Sequence, residues 1–150
     1  MKKNYYIIIG GIVATLIVFG FWAGWHTFLK QEVFNSFSST WLNAIIEEVV
    51  KYSIFAIILK IIYKDHKNLI KSGTLFGFVF GIVELAIKLF YTKQSQLGLI
   101  FGSFLLPIPL HTFLGSIMGY LFSKKYLWII LTGLIICFII HWQFNELISS

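Results

Sequence analysis

The chain carries charged residues inside a segment that is otherwise apolar enough to cross a membrane. Glu47, Glu48 and Lys51 lie within the apolar run 41–63. A charged side chain at the centre of a bilayer costs about 2.5–3.5 kcal/mol on insertion scales, and such residues generally mark a functional site. A carboxylate in a partly dehydrated environment can act as a general base that activates water. These charges therefore predict a membrane-embedded site capable of hydrolysis.

Further polar residues occur in the later apolar segments. Glu84 lies near the end of the third segment, His111 near the start of the fourth, and His141 in the fifth, one turn before Asn145. At a rise of 1.5 Å per residue, Glu47, Glu84 and His141 each lie about 9–10 Å from the same membrane face. We therefore expect four helices to bring these side chains to one layer.

Composition sets the class of protein. The 150 residues are 58% hydrophobic and 12% charged, and the mean hydropathy of +0.85 excludes an ordinary soluble domain. The apolar runs are long and unbroken, unlike the alternating strands of a membrane barrel. We predict an all-α, polytopic membrane helix bundle that forms a single domain over residues 1–150. Its single cysteine, Cys137, excludes an intrachain disulfide.

We predict about five transmembrane helices and one short interfacial or re-entrant helix. The predicted spans are 5–28, 41–63, 70–91, a fourth from about 109 to 122, and 126–148. Pro107 and Pro109 interrupt the apolar region 97–122, so residues 97–106 are assigned to the short helix.

The lysines predict orientation. All twelve basic residues are lysine. Eight of them flank the ends on one side of the bundle, against Lys30 and Lys93 on the other. The positive-inside rule then gives a multi-pass cell-membrane protein with a cytoplasmic N-terminus and an outside C-terminus. The polar layer would lie in the outer third of the bilayer. Because the lysines flank hydrophobic spans, they do not indicate nucleic-acid binding.

Residues four apart share a helix face, and in four of the predicted spans one such face carries polar or small residues. Small residues at this spacing mark close contacts between membrane helices. The four stripes are Asn43-Glu47-Lys51, Gly73-Gly77-Gly81 leading to Glu84, His111-Gly115-Gly119, and Gly133-Cys137-His141-Asn145. The polar groups should therefore point into the bundle. The same residues also have purely structural interpretations. Glu47 and Lys51 could form an ion pair, either histidine could be a packing residue, and Lys88 could neutralise Glu84.

The polar residues also form ordered motifs. Glu47 to Lys51 matches E-E-x-x-K, Phe80 to Glu84 matches F-x-x-x-E, a third motif begins at His111, and a fourth, H-x-x-x-N, begins at His141. In this order on successive spans, the motifs resemble the PrsW family of intramembrane proteases, which is related to the CaaX prenyl-protease and bacteriocin-processing (CPBP) group. The resemblance covers about residues 40–146.

The resemblance implies hydrolysis of a peptide bond in or beside the bilayer. The substrate would be a single-span membrane protein, such as a membrane-anchored anti-sigma factor cut at site 1, or a membrane-bound peptide. By this analogy Glu47 activates water, Glu48 or Glu84 tunes Glu47, and His111 orients water or substrate.

The remaining roles follow from the same resemblance. His141 and Asn145 would form the oxyanion hole, with Asn43, Lys51 and Phe80 as supporting residues. Members of the family are often described as metalloproteases, whereas the related CPBP proteins are better described as glutamate-dependent. We expect no metal, although glutamate and histidine are zinc ligands and a zinc site is possible.

Two other functions fit the sequence. A non-enzymatic bundle of the same fold could bind a membrane partner as a scaffold or bacteriocin-immunity protein. A proton- or cation-coupled carrier could use the glutamate and histidine residues, but five short spans without inverted repeats fit it less well.

Overall fold

The computed structural model describes residues 2–28, 38–62, 68–91, 106–124 and 126–149, and these ranges are almost entirely helical. The helices within them are α1 (Lys2–Phe28), α2 (Ser38–Ile62), α3 (Leu69–Tyr91), α4 (Pro107–Ser123) and α5 (Leu127–Ser149). The all-helical prediction is confirmed.

The fourth helix begins at Pro107, two residues before the predicted start. Proline is favourable in the first turn of a helix, where its missing N–H group would have no intrahelical partner. The prolines therefore begin α4. The predicted short helix over 97–106 lies outside the described residues except for Leu106.

Within the described ranges, three helices are long and apolar enough to cross a membrane: Asn4–Gly24, Leu69–Phe90 and Leu127–Leu147. Their length and composition indicate a membrane protein. Helix α2 has 25 residues but contains the charged cluster, and α4 has only 17 residues. Large apolar side chains are exposed along α1 and α5, for example Leu16 at 55% and Ile135 at 57%, as expected for surfaces that contact lipid.

Successive helices run antiparallel. Gly73 of α3 lies against Gly119 of α4, whereas Gly81 of α3 lies against Ile108 of α4. The two helices therefore run in opposite directions. Helix α5 is likewise antiparallel to α2, because Tyr52 contacts Cys137 while Glu48 contacts His141. Helix α1 packs against α2 and α3.

The antiparallel order gives the bundle two distinct ends. The end that holds Glu47, Glu84, His111 and His141 is called the site end. Helices α2 and α4 end, and α3 begins, at the opposite end of the bundle. This end carries Lys60, Lys71 and Lys124 and is called the lysine end.

Aromatic residues fill the interior between the two ends. The rings of Phe55 and Phe76 meet edge-on with centroids 5.5 Å apart, and Phe55 meets Phe122 at the same distance. Phe80, only 1% exposed, lies between this aromatic core and the polar residues at the site end. This apolar core therefore lies between the candidate site and the lysine end.

Candidate functional site

Helix α2 supplies two charged groups that are almost completely buried. Glu48 is 1% exposed and Lys51 is 3% exposed. Their positions three residues apart place them on one helix face, where they form an ion pair through Glu48 Oε1. Lys51 therefore pairs with Glu48, not with Glu47 as the four-residue spacing suggested.

His111 connects Lys51 to Glu84. Its Nδ1 lies 3.1 Å from Lys51 Nζ, and its Nε2 lies 2.5 Å from Glu84 Oε2. An ammonium group only donates hydrogen bonds, so Nδ1 accepts from Lys51 and Nε2–H donates to the Glu84 carboxylate. This assignment, made from the hydrogen-bond partners, fixes the imidazole as the neutral Nε2–H tautomer. It leaves His111 without a free ring nitrogen.

Glu84 uses its other oxygen to bind Lys88. The carboxylate Oε1 forms an ion pair with the Lys88 ammonium, four residues along α3. The Lys88 side chain is 45% exposed, whereas that of His111 is 1% exposed. Glu84 thus joins the buried part of the site to a surface cation. This ion pair agrees with the interpretation of Lys88 as a neutralising partner of Glu84.

His141 of α5 lies between the two adjacent carboxylates of α2. Its Nδ1 is 2.9 Å from Glu48 Oε1, and its Nε2 is 3.5 Å from Glu47 Oε2. Because a carboxylate accepts, Nδ1–H donates to Glu48, and in a neutral imidazole Nε2 then presents its lone pair to Glu47. The His141 ring also meets the His111 ring edge-on, with centroids 5.0 Å apart.

Glu47 is the least constrained carboxylate of the cluster. Its Oε2 is buried and has no hydrogen-bond partner among the described residues. The contact with His141 Nε2 is within ion-pairing distance but does not have hydrogen-bond geometry. A buried oxygen without a hydrogen-bond partner raises the free energy of the folded protein unless a water molecule, a proton or a ligand supplies that partner. Glu47 is therefore the group best placed to engage a reacting molecule.

The other predicted residues surround this cluster. Asn43 and Asn145 are half-buried, one turn from Glu47 and His141 respectively. Phe80 packs its ring edge-on against His111 at 4.9 Å between centroids, and the Lys51 ammonium lies 4.9 Å from its centroid. A lysine over an aromatic face is stabilised by the ring quadrupole, so Phe80 supports the Lys51 position.

Sequence reasoning missed one polar contact beside the site. The Tyr52 hydroxyl donates to Cys137 Sγ at 3.3 Å, and both side chains are buried. Tyr52 is one turn from Glu48 and Cys137 one turn from His141, so the pair forms a second link between α2 and α5. The four-residue spacing from each predicted residue was the available signal.

Three side chains have donor atoms close enough to share a metal ion. Glu47, His111 and His141 each offer one ligand atom, and these atoms lie within 4.8 Å of one another. The carboxylate of Glu48 on His141 Nδ1 is the usual outer partner of a metal-bound histidine. His111 fits less well, because both of its ring nitrogens already have partners. Two of the three donors are thus available as arranged.

An apolar groove of about 350 Å³ lies between α1 and α2. The polar cluster does not line it. Its lining residues are Ile17, Phe21, Ile45, Ile46, Val49 and Val50.

Comparison of the chain with protein-family models, with curated proteins and with solved structures gives no match.

Proposed function

We propose that the protein is an intramembrane endopeptidase in which Glu47 activates the attacking water. The observation that supports this most directly is the buried Glu47 Oε2, which lacks a hydrogen-bond partner and faces His141 Nε2 at 3.5 Å. A water molecule within hydrogen-bond distance of both atoms would satisfy the two acceptors. The ordered resemblance to the PrsW motifs supports the same reaction.

In this mechanism Glu47 takes one proton from the water as its oxygen attacks the scissile carbonyl carbon. The tetrahedral intermediate then collapses, the C–N bond breaks, and the proton passes from Glu47 to the leaving amine. His141 Nε2 accepts from the water while Glu48 holds the other ring nitrogen. This arrangement favours a water-positioning role for His141 over the oxyanion role, which falls to the half-buried amide of Asn145.

The remaining groups keep this arrangement rigid. Lys51 supplies a positive charge between Glu48 and His111, while Glu84 and Lys88 hold His111 from the other side. Such preorganised charges lower the free energy of a transition state only if they need not move during the reaction. The buried ion pairs meet that condition because each group has partners on a second helix or one turn away.

The proposed topology has five membrane spans, with the N-terminus in the cytoplasm and the site near the outer leaflet. It rests on the lysine distribution and on the charge pairing of α2, whose Glu48 and Lys51 neutralise each other inside the bundle. The substrate would be a single-span membrane protein, of the anti-sigma-factor type, or a membrane-bound peptide.

The test compares cells that express wild type, Glu47→Gln or Glu146→Gln at matched levels. Glu146 is the control, since it accepts from Trp142 on the same helix, at 3.2 Å, and lies outside the cluster. Terminal-peptide proteomics should find a new terminus near a transmembrane segment with wild type and Glu146→Gln. Loss of a general base lowers such cleavage by about 10²–10⁴-fold, so Glu47→Gln should abolish it.

A metal chelator provides a second arm of this experiment. Cleavage in isolated membranes should persist with 1,10-phenanthroline if Glu47 acts without a metal. Inhibition that zinc reverses would assign the Glu47, His111 and His141 donors to a metal instead. Cleavage that survives Glu47→Gln would refute the mechanism in either form.

A scaffold or immunity role is the second candidate. The observation that favours it is the mutual pairing of Glu48, Lys51, His111 and Glu84, since these contacts also join the three helices α2, α3 and α4. Under this function, wild type and Glu47→Gln would give identical terminal peptides and would capture the same membrane partner.

A further inference from the structure

The carboxylates of the described residues are confined to one end of the bundle. All four described carboxylates, Glu47, Glu48, Glu84 and Glu146, lie in the half toward the site end. Lys60, Lys71 and Lys124 lie at the lysine end, and each is within two residues of the end of its own helix. Among the described residues, the lysine end therefore has exposed cations and no carboxylate to neutralise them.

The three lysines come from three different helices and are all exposed. In the described ranges none of them forms an ion pair, whereas Lys51 and Lys88 are both paired with glutamate. Lys124 is held in a different way, because its ammonium lies over the Tyr120 ring at 4.7 Å from the centroid. That contact fixes the charge near the bundle surface without neutralising it.

Aromatic side chains mark this end as the level of the lipid headgroups. Tyr126 and Trp128 at the start of α5 are 63% and 67% exposed, and Tyr120 is 47% exposed. Tyrosine and tryptophan concentrate where the hydrocarbon meets the headgroups. The neighbouring ammonium groups then lie at the depth of the phosphates, where anionic lipids attract lysine.

We propose that the lysine end is a binding surface for anionic phospholipid headgroups, with Lys60, Lys71 and Lys124 contacting the phosphates. The partner is a lipid of net negative charge, because three exposed cations, with no carboxylate among the described residues of this end, favour it over a zwitterionic lipid. This surface is independent of the catalytic proposal, since none of its residues touches the polar cluster.

The test uses the full chain in vesicles of phosphatidylcholine, with spin-labelled phosphatidylglycerol or phosphatidylcholine as the probe. Electron spin resonance measures how strongly each lipid associates with the protein. Wild type should prefer phosphatidylglycerol by about fivefold or more, since one lysine near an anionic membrane surface contributes about 1 kcal/mol, which corresponds to about fivefold. The preference should fall at 1 M salt, where the Debye length is about 3 Å.

The variant Lys60→Gln/Lys71→Gln/Lys124→Gln should lower the preference by about twofold or more, although five further lysines that the sequence predicts on this side remain. Lys124→Gln alone should lower it less. The matched control, Lys30→Gln/Lys93→Gln, removes two lysines that the sequence predicts on the opposite side, and it should lower the preference less than the triple variant does. Both leaflets contain the same lipids, so a change of orientation does not alter the measurement.

Equal association of the two lipids with wild type would overturn the proposal. So would a triple variant that keeps the preference, or a control variant that loses it equally. Inorganic phosphate added at constant ionic strength should have no effect, and loss of the lipid preference with phosphate would refute lipid as the occupant.

Discussion

Replacing Gly77 by alanine tests whether the candidate site depends on the close approach of α3 and α4. A Cβ atom on Gly77 would meet the His111 carbonyl group, with its carbonyl carbon at 2.8 Å and its oxygen closer still. Ordinary contacts with a Cβ begin near 3.4 Å. The obstructing atoms belong to the backbone of α4, so they cannot rotate away, and the two helices must separate.

That separation would act directly on the site. Opening the gap from 2.8 to 3.4 Å or more would stretch the 2.5 Å contact between His111 Nε2 and Glu84 Oε2 by a similar amount. The stretched contact would exceed the usual length of charge-assisted hydrogen bonds, about 2.7–2.9 Å. Overpacking of this kind costs about 1–3 kcal/mol, so we expect Gly77→Ala to unfold at a clearly lower temperature.

Thermal unfolding in detergent, followed by tryptophan fluorescence, measures the loss of stability. Gly20→Ala is the matched control because a Cβ at Gly20 meets nothing within 4 Å. The control should be neutral or slightly stabilising, since alanine exceeds glycine in helix propensity by about 1 kcal/mol. The histidine ring ¹⁵N spectrum should change for His111 in Gly77→Ala only. If the two variants have equal stability and unchanged His111 signals, the close packing does not set the site geometry.

Two further experiments separate electrostatic from steric contributions. Lys51→Met leaves Glu48 buried with only one donor, so we expect a loss of about 3–5 kcal/mol in unfolding free energy. Adding Glu48→Gln should recover part of that loss, and strictly additive effects in a double-mutant cycle would contradict the buried ion pair. Gly133→Ala places its Cβ against the Leu121 side chain, whose methyl groups can rotate away. It should therefore lower the unfolding temperature less than Gly77→Ala, and an equal or larger effect would show that Leu121 cannot adjust.

The general position of the site was predictable, because helical rise relates sequence spacing to depth. Counting residues from the span ends placed Glu47, Glu84, His111 and His141 in one layer, and they lie together in the bundle. The glycine stripe of α3 likewise predicted a close contact, which α4 provides. The catalytic roles of these residues remain a prediction.

The pairing within the layer was not predictable. Residues three and four apart on a helix are both neighbours, so spacing alone could not decide whether Lys51 pairs with Glu47 or Glu48. The choice depends on His141 and His111, which approach from α5 and α4 and occupy the remaining positions. Such contacts between distant helices leave no local sequence pattern. The Tyr52–Cys137 contact was missed although each residue lies four positions from a predicted one, because spacing along one helix does not show which side chain it meets on another.

The charges of α2 also constrain the order in which the protein can be assembled during synthesis. The partners of Lys51 and Glu48 on other helices, His111 and His141, lie 60 and 93 residues later in the chain. When α2 leaves the ribosome, only the pair within α2 itself can offset its charges. In the proposed five-span topology, the helix should therefore remain beside the insertion machinery until α4 and α5 arrive. A chain that ends before α5 should be recognised as incomplete by membrane quality-control proteases.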